Sequence, residues 1–144
     1  MGGITDKVAV VGMGCTKFDE HWDKSIEDLV VEAAYEAFED AGISSGDINA
    51  AWWGTMDGGE LGRTLGRFLK LEYIPITRVE NRCATGSDAF RNACFSVAAG
   101  MYDMVLVLGA EKLKDSGADA VVLFHEPETS HQLHTLGWIS QLSG

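Results

Sequence analysis

The sequence predicts an α/β protein whose strands are parallel and joined by right-handed crossovers. Short, continuously apolar runs alternate with segments whose apolar residues recur every three or four positions, an order of β-α-β-α-β-α-β. Composition agrees: 46% hydrophobic and 23% charged residues are the profile of a globular chain. Seventeen glycines against two prolines favour tight turns and close packing over linkers.

Lys7–Met13 is the first apolar run and is expected to be a buried strand, turned by Gly12 and Gly14. The Gly12-Met13-Gly14 triplet does not extend to a dinucleotide fingerprint. The third position is Lys17, and no helix pattern begins there. Ser25, with Asp28 three residues on, has the form of a capping box, and Gly42 is a stop signal. Between them Ile26, Leu29, Val30, Ala33, Ala34, Ala37, Phe38 and Ala41 form one apolar face. Glu27, Glu32, Glu36 and Glu39 lie opposite, as a solvated surface.

Ile48–Met56 is the second strand, with Trp52 and Trp53 as core or interface packing. A short helix follows over about residues 60–70. On it Arg63, Arg67 and Lys70 share a face: a solvated stripe, or a place to meet a phosphate or an acidic partner. Ile76–Glu80 is the third strand. Residues 84 to about 100 form a helix rich in alanine and glycine, expected to be central and buried. Asp103–Ala110 is the fourth strand.

Cys83 falls where the β-branched run ends and the small-residue helix begins. Backbone N–H groups in a first helical turn lack intrahelical acceptors and favour an anion, so a thiolate there is a candidate nucleophile for acyl transfer. A small buried hydrophobe is the other reading of such a cysteine. Cys15, Cys83 and Cys94 form no Cys-x-x-Cys pair and no zinc spacing. On a shared helix Cys83 and Cys94 stand about 16 Å apart, beyond disulfide reach, so free thiols in a reducing compartment are expected.

The formal net charge of −11 argues against nucleic-acid binding and against attachment to an anionic membrane. No run approaches the ~20 apolar residues of a transmembrane helix. The start of the chain carries neither a secretory signal nor a myristoylation pattern, which makes the cytoplasm the expected location.

In order, Val8-Ala9-Val10-Val11-Gly12, Ala41-Gly42-Ile43 before Asp47-Ile48, and Val79-Glu80-Asn81-Arg82-Cys83-Ala84-Thr85-Gly86 resemble segments of the thiolase superfamily. Met101-Tyr102-Asp103 and Val105–Lys112 complete the set. The resemblance is to the amino-terminal half of sterol-carrier-protein-type and bacterial or archaeal acetyl-CoA acetyltransferases, over roughly residues 6–117.

It implies a mostly parallel sheet with helices on both faces and a buried nucleophile helix. Cys83 would be the acyl acceptor in thiolysis or Claisen condensation, with a coenzyme A thioester as substrate and no tightly bound cofactor or metal. It further implies a homodimer formed through the sheet edge near Cys83, and in some assemblies a partner with an OB fold and a zinc ribbon. Ketoacyl synthase, hydroxymethylglutaryl-CoA synthase and cysteine-independent retro-aldolase chemistries occur among such relatives.

Residues 1–117 are expected to form the thiolase-like domain and 118–144 a tail that matches no part of the family. Asp119–Phe124 has a strand-like composition. His125, His131 and His134, near Glu126 and Glu128, are read as incidental and not as a metal site. The family's catalytic His and second Cys have no counterpart here. The expectation is therefore a truncated or frame-shifted chain, or a half that requires a complement. The competing reading is a non-catalytic dimerisation or partner-binding module.

Overall fold

The computed structural model describes residues 3–56 and 62–112. Helix α1, Ile26–Ala41, begins and ends where the sequence predicts. The Ser25 hydroxyl accepts from the Asp28 amide at 3.1 Å, and the Asp28 carboxylate accepts from the Ser25 amide at 2.8 Å. At the other end Gly42 adopts φ 70°, a left-handed conformation that glycine enters without steric penalty. Val30, Ala34 and Phe38, four residues apart, are the buried stripe.

A second serine–aspartate pair, Ser44 and Asp47, closes a 3-10 turn and leads into strand β1, Ala50–Gly54. Helix α2 is Gly62–Leu69, strand β2 Ile76–Val79, helix α3 Thr85–Ala98 and strand β3 Val105–Gly109.

The sheet runs β2–β1–β3 and every pairing is parallel, with Trp53 opposite Arg78 on one side and Leu108 on the other. All five β1 residues are buried, which is why its sequence carries no polar alternation. The pleat then divides them. Ala51 and Trp53 pack with Val30 and Phe38 of α1, Leu65 and Leu69 of α2, and Leu106 and Leu108 of β3. Ala50 and Trp52 face Ala89 and Ala93 of α3. Helices therefore lie on both faces, as expected.

The first predicted strand is not one. Lys7–Met13 joins no ladder, and Val10 and Met13 are 61% and 73% exposed. Its backbone is held by α1 instead. The Met13 amide donates to Asp40 Oδ2 at 2.9 Å and the Cys15 amide to Glu36 Oε2 at 2.8 Å. Gly12 and Gly14 permit this approach, because a Cβ there would stand 2.4 Å from the Ala37 carbonyl oxygen and 2.1 Å from that of Ala33. A cleft of about 800 Å³ separates this segment from edge strand β3, with walls completed by α1 and α3.

Helix α3 is buried on one side. Ala89 and Ala93 lie under the sheet, while Phe90 and Phe95 are 47% and 49% exposed. The tail from residue 113, including Asp119–Phe124 and the three histidines, lies outside the described residues. None of the described helices is long and apolar enough to cross a membrane.

Candidate functional site

Because the three strands are parallel, their carboxyl ends Gly54, Val79 and Gly109 share one edge of the molecule, the edge where open α/β sheets bind ligands. Cys83 follows one of these ends. Its junction is longer than the sequence suggests: Glu80 and Asn81, then a single 3-10 turn, Arg82–Ala84, separate β2 from α3. Cys83 is exposed on that turn, and all three cysteines are free.

Local hydrogen bonds hold the turn. The Asn81 amide donates to Thr85 Oγ1 at 2.7 Å, the Arg82 amide to Glu80 Oε1 at 2.7 Å, and the Ala84 amide to the Asn81 carbonyl at 2.9 Å. Arg82, immediately before the cysteine, has φ 47°, which costs a non-glycine residue on the order of 1–3 kcal/mol and occurs mostly where surroundings enforce it. Helix α3 starts at N-cap Ala84 with no side-chain cap on its first-turn amides. Asp88, the acidic residue of that first turn, pairs with Arg91. Gly86 has open space where a Cβ would be.

Gly54 sets how closely α3 approaches. A Cβ at this position would lie 3.2 Å from Thr85 Cγ2 and 3.7 Å from Ala89 Cβ, so glycine lets the helix start rest on the end of β1. Glu111 ties the neighbouring strand ends together. Its Oε2 accepts from the Met56 amide at 2.7 Å and from the buried Thr55 hydroxyl at 3.3 Å, and Arg78 donates to the Met56 carbonyl. Thr55, Gly54 and Glu111 were not identifiable as supports from the sequence. Their roles depend on contacts between residues more than thirty positions apart. Cys94 lines the cleft beside β3 and is not part of the Cys83 turn.

The described residues contain no group of three or more His, Cys, Asp or Glu suited to a metal. An exposed sulfur on a tight turn, ahead of uncapped amides, is suited to nucleophilic attack and to bearing a transferred group.

Residues 8–135 match the N-terminal domain of thiolase. The chain belongs to the thiolase family. The chain is 43% identical over 114 residues to the acetyl-CoA acetyltransferase of Methanocaldococcus jannaschii, covering 75% of the chain and 29% of that protein. It is 39% identical over 111 residues to sterol carrier protein 2 of Gallus gallus, covering 74% and 20%.

Among solved structures, the Ltp2–ChsH2(DUF35) aldolase matches with a TM-score of 0.66 at 24% identity, over 84% of this chain and 34% of that one. The acetyl-CoA acetyltransferase of Syntrophomonas wolfei matches with a TM-score of 0.55 at 28% identity, over 68% and 27%. The chain therefore spans about a third or less of the length of each of these relatives.

Proposed function

We propose that this chain carries the acyl-accepting cysteine of a thiolase-type acyl-CoA acyltransferase, and that it works joined to a complementary half. The Cys83 thiolate attacks the carbonyl of a coenzyme A thioester. The resulting tetrahedral oxyanion collapses, the C–S bond to coenzyme A breaks, and the acyl group remains on Cys83 as coenzyme A leaves as a thiolate. Return of a coenzyme A thiolate, or attack by the carbanion of a second acyl-CoA, completes thiolysis or condensation. The observation that carries this reading is the exposed sulfur on the 3-10 turn in front of an uncapped helix, at the carboxyl edge of a parallel sheet.

Two further features support a larger assembly. Beside edge strand β3 lies the apolar cleft of about 800 Å³, suited to an added strand. At the other end of the sheet, among the described residues β2 pairs with β1 alone, and its other edge, next to the cysteine's turn, is suited to a homodimer. An OB-fold, zinc-ribbon partner is a further expectation, in keeping with the two-protein aldolase among the structural neighbours.

The test is incubation of the full chain with acetyl-CoA, alone and with a thiolase carboxy-terminal half supplied in trans, followed by peptide mass spectrometry. One acetyl group on the Cys83 peptide, absent in Cys83→Ala and absent from the Cys15 and Cys94 peptides, is the expected result. Acetylation spread equally over the three cysteines, or none in either arm, overturns the reading in favour of a non-catalytic binding module.

A further inference from the structure

On the far side of the sheet from α3, a second cleft opens between α2 and the connection to β2. Its volume is about 610 Å³, within the range of small-molecule sites. Arg63, Arg67 and Lys70 line it, all exposed, with Arg63 and Arg67 one helical turn apart. In a chain with a net charge of −11, three cations on one short face are a local reversal of the protein's field.

Apolar surface from Leu71, Ile74 and Ile76 completes the cleft. Gly66 keeps this floor open: a Cβ there would stand 3.0 Å from Ile76 Cδ1 and 3.5 Å from the Leu71 carbonyl. The cations are not consumed internally. Among the described residues Arg63 and Lys70 form no ion pair, and Arg67 meets Glu27 at 3.9 Å with both side chains more than half exposed. Among the described residues Glu72 is the one carboxylate on the lining, so their charges leave the cleft a positive excess.

We propose that this cleft binds a soluble phosphate ester with an apolar body, the phosphoryl group on Arg63, Arg67 and Lys70 and the apolar part on Leu71, Ile74 and Ile76. Guanidinium groups match phosphate oxygens through paired N–H donors, and the floor adds burial that inorganic phosphate cannot use. The volume favours a small molecule over an acidic protein surface. The negative charge of the whole chain disfavours a phosphate presented on an anionic membrane. The site is independent of the acyl transfer proposed for Cys83.

The test follows Arg Nε–H signals of the full chain by NMR while 1-naphthyl phosphate, inorganic phosphate, an oligo-glutamate peptide or phosphatidate vesicles are added. The naphthyl ester is expected to shift the Arg63 and Arg67 signals and to bind about tenfold more tightly than inorganic phosphate. Its affinity should fall as salt rises. Arg63→Gln and Lys70→Gln alter exposed side chains, so the fold should persist while binding weakens by about tenfold each. Gly66→Leu should block the ester and spare weak phosphate binding. No localised shift at millimolar ester, affinity unchanged in the two Gln variants, or tighter binding of oligo-glutamate or vesicles than of the ester would each overturn the proposal.

Discussion

Trp52 and Trp53 are consecutive residues of β1, yet they serve opposite faces of one sheet. Trp53 is 0% exposed among Phe38, Leu65 and Leu69, where large side chains from two helices interlock. Trp52 packs edge-on against Tyr102 at a centroid distance of 6.2 Å, and beyond it α3 offers Ala89 and Ala93. The first face fills volume. The second brings a helix close, so that its start reaches the strand ends beside Cys83, and leaves Phe90 and Phe95 outward for further packing. Stability belongs chiefly to the α1/α2 face, and positioning of the cysteine to the α3 face.

The sharpest way to break this division is Trp53→Ala. Truncating a fully buried large aromatic costs about 3–5 kcal/mol, enough to unfold a marginal domain. Ala89→Gly on the other face removes one methyl group and adds backbone freedom, at about 1 kcal/mol. Urea denaturation followed by far-UV circular dichroism compares them. Equal losses would mean that the two faces contribute alike. The Trp53 indole N–H has no hydrogen-bond partner among the described residues, so part of its burial energy is already offset.

Gly54→Val tests the positioning half. The added side chain would press on Thr85 Cγ2, 3.2 Å from the new Cβ, and on the Leu108 carbonyl at 3.7 Å. Overpacking of this kind costs about 1–3 kcal/mol. The more telling readout is the rate of Cys83 alkylation by iodoacetamide relative to exposed Cys15 in the same sample. Displacement of the start of α3 should change that ratio. A fall in the denaturation midpoint with the ratio unchanged would separate Gly54 from the cysteine's turn.

Much of this architecture was legible from local patterns. The helix from Ser25 to Gly42 carries its own start and stop signals, and three of the four apolar runs became strands, trimmed to the residues that find a neighbour. The position of Cys83 between a strand and a helix was equally readable. The 3-10 turn that separates it from the helix was not, since Arg82 takes a left-handed φ that its residue type does not announce.

Lys7–Met13 departs from its strand-like composition for a physical reason. Its composition is that of a strand, but strand formation requires a paired edge, and here Gly12 and Gly14 lay the backbone on α1 while Glu36 and Asp40 take its amides. In the sequence Glu36 reads as a solvated position, because helical periodicity shows which face a residue is on and not which distant segment will cross it. The exposed basic stripe on α2 was visible as spacing. The apolar floor beneath it became apparent once Ile74 and Ile76 were placed by the sheet.

The smallest expected effect concerns how the two faces are capped. On the α1 side, serine–aspartate pairs close both the start of α1 and the turn into β1, whereas α3 opens at Ala84 without one. The Ser44 amide and then its hydroxyl donate to the Asp47 carboxylate, holding Asp47 below the usual carboxylate range. A depressed folded-state value stabilises the native state above the unfolded carboxylate's pKa, and this contribution is lost as pH falls through the folded value. Asp47→Asn should therefore flatten the acid limb of the stability–pH curve slightly and leave stability at neutral pH little changed, because the pair is exposed to solvent. Because Asp47 lies on the connection behind α1, the Cys83-to-Cys15 alkylation ratio should not move. A change in that ratio in Asp47→Asn would show that the packed face and the cysteine's turn are coupled through β1, and the division drawn from the two tryptophans would fail.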